Sequence, residues 1–272
     1  MASFKPYRVP SKDSGKFRLA RLDPGATPFA QGSETQQREE LDDLAQELDK
    51  LQNRLHAEGR RKLLLVLQGM DTSGKDGTIR WVFSRTSPLG VRVMPFKAPS
   101  ELERAHDYLW RCHAVVPAAG QIMIWNRSHY EDVLVPVVNG LIDKKETQRR
   151  YRHINDFERL LTDTGTTVIK CMLHISKEEQ RTRLQERIDT PAKQWKFQRT
   201  DLDVRLKWDA YQAAYEKALA ATSTARAPWH VIPADSKTHR NLMIARLLIK
   251  TLRDMDLQTP PPDPALKGLV VS

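Results

Sequence analysis

The chain has 272 residues, 44 lysines and arginines against 34 aspartates and glutamates, and a formal net charge of +10. That length is ample for a full hydrophobic core, and no apolar run approaches the roughly 20 residues of a membrane-spanning helix. Residues 1–8 hold no secretory hydrophobic segment, and Cys112 and Cys171 match no zinc or redox spacing, so buried thiols in a cytoplasmic protein are expected. The positive charge favours an anionic partner, whether nucleic acid, nucleotide or another polyphosphate, and does not choose among them.

Residues 1–33 are rich in Pro, Gly and Ser without a period and read as an extended arm. From Glu34 to about Glu58, Leu41, Leu44, Leu48, Leu51 and Leu55 recur at spacings of three and four. That is one apolar helical stripe, expected to pack on the core, with a subunit interface as the alternative. Strands are then expected at 62–68, 91–96, 121–126, 168–174 and 229–233. Helices are expected at 75–85, 100–114, 128–139, 146–163, 176–188, 203–221 and 237–255. Capping boxes are read at Ser100/Glu103, Ser128/Glu131 and Ser176/Glu179. Continuous apolar strands alternating with helices predict an α/β fold: a parallel sheet of about five strands with helices on both faces. No composition shift marks a second domain, so 34–256 reads as a single domain and the Pro-rich 257–272 as an extended tail.

The first expected strand runs into Gly69-Met70-Asp71-Thr72-Ser73-Gly74-Lys75-Asp76-Gly77. Gly-x4-Gly-Lys between a strand and a helix is the P-loop pattern, in which backbone N–H groups cradle phosphate and the lysine reaches it. Position 76 is Asp where the usual loop has a Ser or Thr hydroxyl for Mg²⁺, so the metal must be held in another way. A second segment, 121–132, is an apolar strand ending in Asn126-Arg127-Ser128-His129-Tyr130-Glu131-Asp132. Ligands of open α/β sheets bind at this carboxyl edge. Asp71 and Asp132 are the candidate Mg²⁺ carboxylates. Arg127 could clamp a phosphate, Glu131 fits either function or the cap of Ser128, and His129 fits surface or packing.

A third segment, 176–199, sets Arg183 and Arg187 on one helix face, followed by Lys193 and Lys196 in a loop. This is where a P-loop kinase carries a lid whose arginines stabilise the transferring phosphoryl group. The alternative is a solvated face paired with Glu178, Glu179, Glu186 and Asp189. Arg80 and Arg85 on the helix after the loop, with Lys97 after the second strand, form a fourth group; Arg80 could line the nucleotide side or a polyanion channel, or simply be solvated.

Taken together these segments resemble the polyphosphate kinase 2 family of short single-domain type. The resemblance rests on 69–77, 126–133, 174–180, 183–187, Trp195-Lys196-Phe197 and 227–234, and runs from about Tyr7 to Val271. It implies a thymidylate-kinase-like P-loop kinase fold with a helical lid at about 177–200. It also implies Mg²⁺-dependent transfer of the terminal phosphoryl group of inorganic polyphosphate to a nucleotide, with Mn²⁺ as a substitute metal. By position it puts the metal acids on Asp71 and Asp132, the Walker lysine on Lys75, the Walker B arginine on Arg127 and the lid arginines on Arg183 and Arg187. Lysines of the lid and Lys97 would hold the polymer. Glu131 stands where diphosphate-specific members carry Asn, which favours AMP and ADP as acceptors, with guanine nucleotides open. A homodimer or homotetramer is expected, with neither nucleic acid nor membrane as partner. The competing readings are an ATP-dependent nucleoside-monophosphate kinase and a non-catalytic P-loop module that binds nucleic acid.

Overall fold

Strands that are apolar on both sides need helices on both sides to leave water. The computed structural model, which describes residues 3–11 and 15–271, resolves that requirement into one parallel sheet. Its strands are β1 (Lys62–Gln68), β2 (Val91–Pro95), β3 (Ile122–Asn126), β4 (Thr166–His174) and β5 (Trp229–Pro233), in the order β2-β3-β1-β4-β5. All five match expected strands. The helices are α1 (Glu34–Glu58), α2 (Lys75–Val82), α3 (Glu101–Arg104), α4 (Trp110–His113), α5 (Glu131–Val138), α6 (Lys144–Asp163), α7 (Lys177–Asp189), α8 (Thr200–Leu206), α9 (Trp208–Thr222) and α10 (Lys237–Asp254). Alternate residues of β1 divide the core, as strand geometry requires. Leu63, Leu65 and Leu67 pack with α1, α2 and α10, whereas Leu64 and Val66 pack with α5, α6 and α9.

The leucine stripe of α1 is core packing: Leu41, Leu48, Leu51 and Leu55 are buried in the cluster that α10 completes. The arm does more than extend. Val9 and Leu19 join one cluster and Phe29 the other. Arg8 bridges His230 antiparallel, and the Val9 amide donates to Trp229 O at 2.9 Å, so this segment shields the β5 edge. Residues 258–271 are exposed, with one short 3₁₀ turn at Pro264–Leu266. Among the described residues no helix is long and apolar enough to cross a membrane.

Two expected helices are divided. The 100–114 helix is broken between α3 and α4, where the Asp107 side chain accepts from the Leu109 amide at 2.9 Å and offers the backbone a turn instead. The 203–221 helix is interrupted at Lys207, whose amide bonds Val204 O at 3.1 Å. The capping boxes also differ in outcome. Ser100/Glu103 forms in both directions. Ser176 caps the Glu179 amide, but the Glu179 carboxylate turns to Arg183. Ser128/Glu131 does not form, because Ser128 Oγ accepts from the Tyr130 amide while Glu131 accepts from Gln68. Both thiols are buried and unpaired; burial pushes Cys112 up to about 12 and Cys171 higher still.

Beneath α5 lies a buried polar knot. Lys170 Nζ donates to Glu158 Oε2 at 2.6 Å, Tyr130 Oη at 3.0 Å and Thr222 O at 2.7 Å. His129, fully buried among Trp125, Tyr130 and Phe157, stands 3.4 Å from Glu158, so its role is packing. Burial pushes the Glu158 carboxyl up, but Lys170 and His129 outweigh that and hold it below its usual range. Lys170→Met strands a buried carboxylate and is expected to lower unfolding stability by about 3–5 kcal/mol in urea titration. The double variant Lys170→Met with Glu158→Leu should recover most of that loss.

Candidate phosphate-binding site

The carboxyl ends of β1 and β3 lie side by side, with Leu67 in register with Asn126. That register brings the loop 69–77 against 126–131. Gly69 (φ +148°) has to be glycine, because a Cβ there would sit 2.7 Å from both Leu173 O and Ser73 Oγ. Thr72 (φ +64°) and Arg127 (φ +63°) also take left-handed backbone, a strain of about 1 kcal/mol or more each that collects at functional sites. Gly74 precedes α2, whose first-turn amides have no intrahelical acceptor and lie at its positive end. The Lys75 ammonium is folded under the loop, donating to Gly69 O at 2.8 Å and Met70 O at 3.2 Å. Burial, then Arg127, pulls its pKa down to about 8, against the opposing pull of Asp71, Glu131 and Asp76.

Three carboxylates therefore act on Lys75, and each has a separate polar partner. Arg127 Nη2 donates to Asp71 Oδ1 at 2.6 Å, Asn126 Nδ2 to Asp76 Oδ1 at 2.7 Å, and Gln68 Nε2 to Glu131 Oε1 at 3.2 Å. Asp132 is not among them. It faces Arg111 Nη2 at 3.4 Å, while Arg111 Nη1 donates to Lys97 O at 2.9 Å and the guanidinium covers the Phe96 ring. Burial raises the Asp132 carboxyl despite Arg111 and Arg150. The two carboxylates expected to share a metal thus have no common partner. Among the described residues no cluster of three or more metal-type side chains occurs. A hard cation bridging phosphates asks for only one or two carboxylates, and Asp71, Asp76 and Glu131 meet that requirement at the loop.

The expected lid arginines part company. Arg183, 6% exposed, points beneath the loop and not toward a lid. Its guanidinium donates to Thr72 O (3.0 Å), Ser73 O (3.4 Å), Ala234 O (2.8 Å), Asp235 O (2.7 Å) and Glu179 Oε1 (2.7 Å). Gln180, one position before Arg181 on the same helix, adds a bond to Asp71 O at 3.3 Å. The first half of α7 is therefore anchored to the loop. Arg187 bonds Lys196 O at 3.2 Å and stands 3.6 Å from Asp201, tying the 3₁₀ turn Pro191–Lys196 to α8. Lys193 pairs with Glu186 and Lys196 lies over Trp195, while Arg181 pairs with Glu178. Arg181 and Lys193 thus each have an acidic partner within this segment. Arg80 and Lys97 are exposed, Gly77 is half-buried and Met70 is in the core.

Sequence reasoning missed Asn126 as the partner of Asp76, Gln180 and Arg111 as anchors, and Arg240. Arg240, 2% exposed, donates from Nη1 to Ser73 O at 3.2 Å. The available signal was the polar triplet His239-Arg240-Asn241 near the start of a helix whose other buried residues are apolar.

A parallel sheet with a P-loop at its carboxyl edge, a buried loop lysine, and Arg127, Arg183 and Arg240 beside the loop has the architecture of a P-loop kinase. The model of the polyphosphate kinase 2 family matches residues 31–260, and the chain belongs to that family. It is 51% identical to an AMP/ADP-polyphosphate phosphotransferase of Meiothermus ruber, over 98% of this chain and 99% of that one. It is 38% identical to an ADP-polyphosphate phosphotransferase of Rhodopseudomonas palustris, over 96% and 93%. A crystal structure of polyphosphate kinase 2 from Arthrobacter aurescens TC1 superposes with a TM-score of 0.92 at 44% identity, over 96% of this chain and 93% of that one.

An anion bound at the loop favours the charged form of Lys75, whose pKa in the free protein is about 8, below its ordinary value. The ratio of wild-type to Lys75→Met affinity for metal-free tripolyphosphate, in which the ligand's own titration cancels, should therefore be constant well below pH 8 and fall as pH rises through it, by at most about tenfold per unit. Calorimetric titration of both proteins across this pH range measures the ratio.

Proposed function

We propose that this protein is a polyphosphate-dependent nucleotide kinase, transferring the terminal phosphoryl group of inorganic polyphosphate reversibly to AMP and ADP. The observation that carries the reading is a P-loop with its lysine in place in a chain that aligns end to end with an AMP/ADP-polyphosphate phosphotransferase. A phosphate chain is a dense polyanion, and a +10 protein suits it. Lys75 and the first-turn amides of α2 hold the transferred phosphoryl group. Arg127 neutralises its developing charge from the β3 side. Arg187, Lys193, Lys196, Lys97 and Arg80 supply the basic surface along the chain of phosphates. The acceptor is already a phosphate anion, so positioning and charge neutralisation suffice and no general base is needed.

Mg²⁺, with Mn²⁺ able to replace it, would neutralise phosphate oxygens and hold donor and acceptor in line. Asp71 is the residue we assign to it, with Asp76 and Glu131 beside it; Asp132 would join only on leaving Arg111. Arg183 has no free donor face, and we assign it to the loop's scaffold. The buried stripe on α1 is not available for assembly, so a homodimer or homotetramer would use another surface. A cytoplasmic location agrees with the buried free thiols.

The test is acceptor profiling with AMP, ADP, GMP and GDP, with polyphosphate or ATP as donor. Polyphosphate should yield ADP from AMP and ATP from ADP, and Lys75→Ala should lose about 100-fold or more in kcat. Phosphorylation with ATP but none with polyphosphate would establish a nucleoside-monophosphate kinase instead. Glu131→Asn should depress AMP use relative to ADP use; an unchanged ratio would confine Glu131 to holding Gln68.

A further inference from the structure

Against the loop and the first turn of α2 the fold buries more positive charge than it pairs with carboxylates. Arg240 enters from the first turn of α10 and is 2% exposed. Its Nη1 donates to Ser73 O at 3.2 Å, and its Nε and Nη2 donate to Asn241 Oδ1 at 3.2 and 3.0 Å. The approach is close: a Cβ on Gly74 would stand 1.9 Å from Arg240 Nη1, and one on Gly77 3.3 Å from Nη2. Among the described residues no carboxylate lies within ion-pair distance of Arg240. Its charged neighbour is Arg183, a second buried cation, and burial together with Arg183 pushes the Arg240 guanidinium down from its ordinary value. It stays cationic, as a guanidinium does. Arg183 has Glu179 at 2.7 Å, whereas Lys75 donates only to carbonyls. Three buried cations thus surround the loop with one directly paired carboxylate.

An isolated buried charge is costly, and an apolar side chain of similar volume usually serves the fold as well or better. The tether to Ser73 O is one hydrogen bond, which an uncharged donor could make. What a full charge adds is a field, acting at short range in a buried, low-dielectric setting on whatever the loop amides hold. We propose that Arg240 is a positioning residue of the phosphate site, a buried cation whose counter-charge is the bound phosphate chain. The inference rests on the phosphate-binding reading of the loop.

Full-length wild type, Arg240→Met and Arg240→Gln are compared by thermal melting without ligand and by calorimetric titration with tripolyphosphate. The account expects both variants to melt at or above the wild-type temperature without ligand, since an uncompensated charge is gone. It expects tripolyphosphate to bind roughly tenfold or more weakly, with the KM for polyphosphate rising more than kcat falls. Melting below wild type in both variants would make Arg240 a structural tether and overturn the proposal. Tripolyphosphate affinity in both variants within threefold of wild type would overturn it as well. Failure of wild type itself to bind tripolyphosphate would instead remove the phosphate-loop reading on which it stands.

Discussion

The guanidinium of Arg183 joins three parts of the molecule that the chain keeps far apart: α7, the loop after β1, and the turn between β5 and α10. A loop can aim its amides at an anion only if its carbonyls are satisfied from the other side, since buried backbone acceptors left unpaired are costly. Here that task falls to side chains. Gln180 takes Asp71 O, Arg183 takes Thr72 O and Ser73 O, and Arg240 shares Ser73 O. The left-handed backbone at Thr72 persists because these bonds hold it. Glycines at 69 and 74 let Leu173 and Arg240 come close enough to seat the loop.

The same arrangement rewrites how charge is distributed. The position that carries a metal hydroxyl in the common P-loop is Asp76, and the residue across from it at the end of β3 is Asn126 instead of an acid. One carboxylate is retained between loop and strand, but it sits on the loop. Asp71 is held by Arg127 through one carboxylate oxygen, Oδ1. Asp132 pairs instead with Arg111, which donates to Lys97 O just after β2. The carboxyl edge therefore has a loop-side acidic group near Lys75 and a separate acid–arginine pair farther along the sheet.

The sheet was legible because continuous apolar runs bounded by polar edges have one burial solution, and the P-loop was legible because its spacing is tied to its backbone geometry. The divided helices were not, because the Asp107 turn is a local competition that helical periodicity cannot see. Arg183 and Arg187 share a helix face by spacing, yet spacing does not say that one end of that face lies under the loop and the other under α8. Glu131 satisfied a capping pattern, but Gln68, 63 residues earlier, captured it. Arg240 was hidden by its setting, a charged side chain in a helix whose other buried residues are mostly apolar.

The central claim is that α7 holds the phosphate loop in shape from beneath through Arg183. Hydrogen exchange of the amides of residues 71–78 in Arg183→Met, with Arg187→Met as control, measures this directly. The account predicts faster exchange across 71–78 in Arg183→Met, unchanged exchange in β1 and β4, and a wild-type loop in Arg187→Met. Loop exchange in Arg183→Met equal to wild type would contradict it.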